Sequence, residues 1–423
     1  MEPLVVPLSS PEATDAGRFG PKAANQAALG RAGLPIPDGF CVDARAYRMQ
    51  LAALGLEDAA RAAGAPHLAD ARRELTAVRL GLYDQPIVPA LAGPLLAAWR
   101  ALADPPRVLG VVRSSALLED RPGTSFAGQF ETFLGLEDEA DFLTAVRACW
   151  AALWSTRALR YLLGHGLNPA DTAMALLIQP LVPARASGGG LSRTADGGML
   201  LSATWGLGSA IAQGEVVPDR YTMTRAGALR EVAAGRKDHA VGCSHGTRRV
   251  SPAEASAPCL DDSQAVELAG LLLRAEERMG GPVEIEWAQD ESGFKLLQAR
   301  PLQLAPAAVP DELWLRHPGL TGHPSGIGWG AGRACVVNCE CELSRVAPGD
   351  VLVTRVAGPA LSQVLPRVAG VVAELGGSTS HLASLARERG IPMVLGVLEA
   401  TLHIPDGAQV AVDGVAGIVR WVH

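Results

Sequence analysis

Residues 371–396 read VVAELGGSTSHLASLARERGIPMVLG. An apolar, β-branched run ends at Leu375, and Gly376 with Gly377 marks a sharp turn. Thr379 or Ser380 can cap a helix over 380–388 whose first turn holds His381. Leu382, Leu385 and Ala386 form its apolar face, and Gly390 and Pro392 stop it. A strand, a glycine turn, a helix and a second apolar run in this order are the parts of a β/α unit.

A helix N-terminus presents free N–H groups and the positive end of the helix dipole, which bind anions. The same field disfavours imidazolium, so an imidazole there stays neutral and nucleophilic near neutral pH. A phosphohistidine formed at His381 would have its new charge stabilised at once. The residues alone also fit a structural histidine at a helix start.

Outward from this segment, 333–423 beyond a Pro/Ala/Gly-rich stretch is strand-rich and compact, with the 380–388 helix as its one clear helix. Residues 301–324, PLQLAPAAVPDELWLRHPGLTGHP, read as a linker. Before it, VEIEW and FKLLQ are two strands joined by QDESG. Residues 173–182 are apolar and strand-like, and ASGGGLSRTADGG after them reads as a hairpin loop. Residues 142–163 read as one amphipathic helix, and 44–103 as an Ala/Leu/Arg-rich helical insert. The alternation gives an α+β or α/β body, with no internal repeat.

At 423 residues and 48% hydrophobic content the chain can fill two or three domains. Its net charge of -7, spread along the sequence, gives no electrostatic reason to expect nucleic acid or an anionic membrane. The N-terminus lacks the basic region and apolar run of a secretion signal, and no stretch is apolar enough to span a bilayer. Seven cysteines without a CxxC pair are read as reduced thiols of a cytoplasmic protein. Cys335, Cys339 and Cys341 cluster, but no histidine joins them at metal-ligand spacing. Arginine carries nearly all the positive charge. Lys22, one of three lysines, sits beside glycine and proline, where a compact point charge is a candidate ligand for an anion.

The run GGSTSHLASLARERGIPMVLG closely resembles the swivelling phosphohistidine domain of phosphoenolpyruvate synthases, pyruvate phosphate dikinases and rifampin phosphotransferases. Their Gly-Gly-x-Thr-x-His pattern falls on Gly376, Gly377, Thr379 and His381, and IPDGAQVAVDGVAGIVR resembles the closing strands. The first three hundred residues resemble the ATP-grasp domain of the same family. The carrying segments are GPKAAN from Gly20, GLPIPDGF, VVRSSALLEDRPGTSFAGQFETFLGL, GLGSAIAQGEVVPDRY and IEWAQDESGFKLLQARP, in the family's order. The resemblance implies an ATP-grasp nucleotide-binding domain over 1–301, a linker over 302–324 and a small β/α swivelling phosphohistidine domain over 325–423.

It also implies roles. His381 is the phosphohistidine carrier, with Thr379 and Ser380 in support. Lys22, Arg113, Gly128, Gln129, Gln179 and Arg300 are candidates for ATP, and Glu286 and Gln298 for Mg²⁺. These residue types suit the task. Lys22, Arg113 and Arg300 offer charge to a triphosphate whose transferred group spreads negative charge over its oxygens. The small-residue loop at 125–129 lets backbone N–H groups approach phosphates. Glu286 and Gln298 supply hard oxygen donors. Read singly, Lys22 and Arg113 are also ordinary surface ion pairs and Glu286 a solvated carboxylate.

Residues 187–198, SGGGLSRTADGG, depart from the family by lacking an aromatic residue and a proline. No acceptor domain is recognisable up to His423, so the acceptor is expected to be a small molecule, or pyruvate on a separate subunit. Two rivals remain at this level: an ATP-grasp carboxylate ligase that yields ADP, and a nucleotide-sensing regulatory protein without turnover.

Overall fold

The computed structural model describes residues 2–63, 68–102, 109–119, 126, 128–242, 246–303 and 319–422, with the side chains of 68–72 left aside. It divides into two units, one of residues 1–182 with 295–300 and one of residues 183–294 with 301–423. Both combine helices and sheet, as the α+β or α/β reading expects.

The first unit carries an antiparallel sheet in the order Val5–Pro7, Phe40–Val42, Met174–Pro180, Gly110–Ala116 and Thr132–Leu136. Its central strands are almost continuously buried. The expected insert at 44–103 holds four helices, Ala44–Ala53, Glu57–Ala63, Leu68–Asp84 and Pro89–Leu102. Trp99 of the last stacks on Phe142 with ring centroids 4.6 Å apart. The stretch 142–163, read as one helix, is two: Glu139–Ala152 and Thr156–Gly164. Ser155 breaks it by adopting an extended backbone and capping Ala158 N–H, a local competitor that hydrophobic periodicity does not register.

The first helix, Ala16–Arg31, is kinked at Gly20, whose φ is 73°. A side chain at Gly20 would run into the backbone and Oγ of Ser115. Pro21 then opens the second helical segment, where its fixed φ and missing N–H cost nothing. Gly20→Ala is expected to lose about 1–3 kcal/mol from the backbone conformation alone. Urea unfolding of this variant checks it, and unchanged stability would refute the kink as a glycine requirement.

Besides the two-stranded pair of His239–Val241 and Thr247–Arg249, the second unit contains two larger sheets. One runs, antiparallel throughout, from Val283–Asp290 through Ala186–Leu191, Met199–Trp205 and Asp219–Met223 to Leu229–Ala233. Its covering helix, Asp262–Met279, starts in a capping box between Asp261 and Gln264 and ends at the left-handed Gly280. Lys237 and Asp219, both fully buried, form an ion pair, and Asp219 also accepts from the N–H groups of Gly235 and Cys259 at 2.7 Å each. Strand Gly293–Pro301 carries the chain back to the first unit.

The sequence reading took ASGGGLSRTADGG as a hairpin loop, but Ala186–Leu191 is a paired interior strand and only the residues after it turn. Its glycines are there for clearance: a Cβ on Gly189 would sit 2.6 Å from the Cβ of Thr379.

The other sheet has eight strands, with parallel Trp329–Val337, Val351–Val356, Gly370–Leu375 and Met393–Leu395 at its heart. Val336, Val351, Val353, Val372, Val394 and Val410 fill its core, as buried parallel strands require. Residues 319–324, the end of the expected linker, form the strands Gly319–Thr321 and His323–Pro324 that edge this sheet. Most of the expected linker, 304–318, lies outside the described residues. A second, four-residue helix, Ala400–His403, accompanies the expected one.

The reduced-thiol reading of the cysteines needs one correction. Cys339 and Cys341 form a disulfide across a two-residue separation, a pairing that depends on the local backbone bringing them together. Cys41, Cys149, Cys259 and Cys335 are free and buried, and Cys243 lies outside the described residues. No helix among the described residues is long and apolar enough to cross a membrane.

Candidate active site

In the first unit the kink at Gly20 turns the helix so that Lys22 meets the sheet. Lys22 Nζ lies 2.7 Å from Glu119 Oε2 and donates to the Ser114 carbonyl at 3.3 Å. Glu119 is fully buried in its side chain and accepts from Ala116 N–H at 2.9 Å. Burial pushes its carboxyl above the usual range, while the charges of Lys22 and then Arg300 pull the other way. Lys22, Glu119 and Arg300 therefore form one charge group with a net positive sign.

The backbone fixes that group. Asn25 Nδ2 donates to the Ala299 carbonyl at 3.2 Å, Gln26 Nε2 to the Leu296 carbonyl at 2.5 Å, and Leu296 N–H to the Pro35 carbonyl at 2.7 Å. The helix bearing Lys22 is thus tied to the strand bearing Gln298 and Arg300, both mostly buried. Arg113 lies half-buried on the central strand, in register with Leu177 and Thr132. Gln179 pairs with Val111 and donates its amide to the Pro37 carbonyl at 2.9 Å. Gly128 adopts φ 66°, and Gln129 is buried with its N–H on the Phe126 carbonyl at 3.0 Å. Ser125 and Ala127 of that loop lie outside the described residues.

In the second unit the structure brings Thr379 to the row of residues that holds Glu286. Glu286 pairs with Gly189, and Gly189 pairs with Ser202 on the next strand. Ser202 Oγ and Thr379 Oγ1 are hydrogen-bonded at 2.5 Å. His381, half-buried, opens the helix His381–Arg389 two residues later. Between the two caps the sequence left open, Ser380 is the N-cap. Its side chain accepts from Ala383 N–H, and Gly390 ends the helix in the left-handed conformation.

Glu286 thus falls in the second unit. Gln298, Arg300, Lys22, Arg113, Gly128, Gln129 and Gln179 fall in the first.

Glu119 is the site residue that sequence reasoning missed. Its signal was the carboxylate that follows the apolar Ala116–Leu118 in SSALLED, just past the Arg113 strand. The donor chemistry suits a polyphosphate, since the cationic group around Lys22 is net positive. It also suits a hard cation that takes some of its oxygens from the nucleotide. Among the described residues no group of three or more His, Cys, Asp or Glu could hold a metal ion. Mg²⁺ commonly needs only one or two protein oxygens beside substrate phosphates.

The family model described as "Pyruvate phosphate dikinase, AMP/ATP-binding domain" matches residues 16–313. The chain belongs to this pyruvate phosphate dikinase family. A second model, "PEP-utilising enzyme, mobile domain", matches residues 346–417, which include His381. The family expected from the runs at 376–396 and 111–136 is therefore the one found, and the dikinase-family AMP/ATP-binding region covers every residue of the candidate site in the first unit.

Among curated relatives, the probable phosphoenolpyruvate synthase of Pyrococcus abyssi is 32% identical over 96% of this chain and 57% of its own length. The phosphoenolpyruvate synthase of Escherichia coli K12 is 29% identical over 100% of this chain and 58% of its own. That of Aeropyrum pernix is 32% identical over 95% and 56%. The dikinase-family chain thus spans just over half the length of the curated relatives it matches.

Proposed function

We propose that this chain is a dikinase-type phosphotransferase, in which ATP phosphorylates His381 and phospho-His381 passes the phosphoryl group to an acceptor. The observation that carries the proposal is the seating of Thr379, two residues before His381, on the Ser202–Gly189–Glu286 row. Residues 1–301 serve as the nucleotide part and 325–423 as the carrier, and a cytoplasmic location fits a chain that draws on ATP.

Lys22, Arg113 and Arg300 hold the triphosphate by charge, with the backbone N–H of Gly128 and the side-chain amide of Gln129 as further contacts. Gln179 lies toward the adenine. Glu286 and Gln298 would hold Mg²⁺, which when bound neutralises charge on the phosphate oxygens. His381 attacks the β-phosphorus, so a P–N bond forms and the bond to the bridging oxygen of AMP breaks. The γ-phosphate then leaves to water or phosphate, and phospho-His381 remains. The carrier delivers the group to a small molecule or to pyruvate held by a separate subunit. The partner subunit is the favoured acceptor.

The test is a pair of labelled nucleotides. With Mg²⁺ and ATP labelled at the β-phosphorus, the protein is expected to retain label and release AMP. With γ-labelled ATP it retains none. Release of ADP instead would make the chain a ligase-type enzyme and end the dikinase reading.

A further inference from the structure

Residues two apart on a strand share a face, so Glu284 projects from the same face of Val283–Asp290 as Glu286. The mechanism uses Glu286 and leaves Glu284 without a task, although Glu284 is buried to 5% exposure. Its partners come from the helix of His381. Ser384 Oγ donates to both its carboxylate oxygens at 3.0 Å, and Arg387 Nη2 lies 3.1 Å away. Arg387, also buried, is anchored beside its own helix. It donates to the carbonyls of Ser325 and Ser378 and, at 3.1 Å, to Ser384 Oγ. The arginine is thus held from the eight-stranded sheet's side, and the glutamate comes from the sheet of Val283–Asp290.

We propose that Glu284, Ser384 and Arg387 form a polar clasp that seats the His381 helix on the sheet carrying Glu286, as positioning residues for phosphorylation of His381. The inference rests on the phosphotransfer reading above. A polar joint suits a contact that must be made and released. The attraction of a buried ion pair is largely offset by the water each charge gives up, so the joint specifies a geometry without locking it. Once parted, both charges are rehydrated, whereas an apolar joint would leave a sticky patch exposed. The neutral end of the same seat is the contact of Thr379 with Gly189 and Ser202.

The test uses the full chain with Glu284→Gln, Ser384→Ala and the conservative Glu284→Asp. Three quantities are read: the single-turnover rate of phosphoryl uptake by intact mass, the affinity for ATP, and amide hydrogen exchange over Ala186–Leu191 and His381–Arg389. Glu284→Gln leaves the guanidinium buried without its counter-ion, so uptake is expected to slow by about tenfold or more. ATP affinity is expected to stay within about twofold, since no nucleotide contact is lost. Exchange should rise in both segments, and Glu284→Asp should recover part of the rate.

Wild-type uptake and wild-type exchange in Glu284→Gln would overturn the clasp, and so would a loss of ATP affinity in step with the rate. If Glu284→Gln does not fold, Ser384→Ala decides. It removes one hydroxyl and is expected to slow uptake about threefold or more, and an unchanged rate and exchange overturn the proposal. A wild-type chain that takes up no phosphoryl group would defeat the phosphotransfer reading, while the exchange data would still judge the clasp.

Discussion

With His381 replaced by alanine, no phosphoryl group from β-labelled ATP remains on the protein, and transfer to an acceptor falls by at least about 10⁴-fold. The size of the effect follows from the role. A covalent carrier has no substitute when its nucleophile is gone, unlike a residue that only tightens binding. Folding should survive, because Ser380 still caps Ala383 N–H and alanine favours a helix interior more than histidine does. ATP binding should also survive, since the cationic group of Lys22, Arg113 and Arg300 is untouched. Intact-mass measurement after incubation with ATP and Mg²⁺, beside a nucleotide-binding titration, reads both. Label appearing at another residue of the variant, or normal turnover without the imidazole, would defeat the carrier assignment.

Lys22→Met is expected to cost about 3–5 kcal/mol of stability near neutral pH, and to weaken ATP binding besides. The stability loss comes from Glu119, which the substitution leaves buried and without its 2.7 Å partner. Its pH dependence has a definite sign. Burial already holds the Glu119 carboxyl above its ordinary value, with Lys22 the stronger of the two charges opposing that rise. Removing Lys22 raises it further. A carboxyl whose folded pKa lies above its unfolded one contributes stability that is full below the unfolded pKa and lost as pH rises through the folded pKa. The deficit of the variant against wild type should therefore be largest at neutral and alkaline pH and shrink in mild acid. Adding Glu119→Gln to Lys22→Met should restore much of the stability but none of the ATP affinity. Urea unfolding at several pH values measures the first, and a deficit that stays constant with pH would show that the ion pair is not its source.

Much of the candidate site was legible because its signals are local. The helix of His381 is bounded by a serine cap and a left-handed glycine within one short stretch, and both act through the nearest turns of backbone. The strands of Glu286 and Gln298 showed as the runs VEIEW and FKLLQ joined by QDESG. The glycines of 188–190 were misread for the opposite reason. They lie in a paired strand, and what they make room for, Thr379, arrives from far along the chain. Glu119 escaped notice because a carboxylate after an apolar run has meaning only once Lys22 is seen against it.

By itself, the amino-acid sequence determined the family, the α/β character, the match to an AMP/ATP-binding region followed by a mobile-domain region, and the helix start at which His381 sits. These depend on caps, turn residues, periodicity and motif runs, all written within a few residues of where they act. Only the tertiary structure decided that Glu119 holds Lys22, that Gly189 seats Thr379, and that Glu284 grips Arg387. Each is a contact between residues distant in the chain. Their energies come from burial and charge pairing, and neither exists until the chain has closed around them.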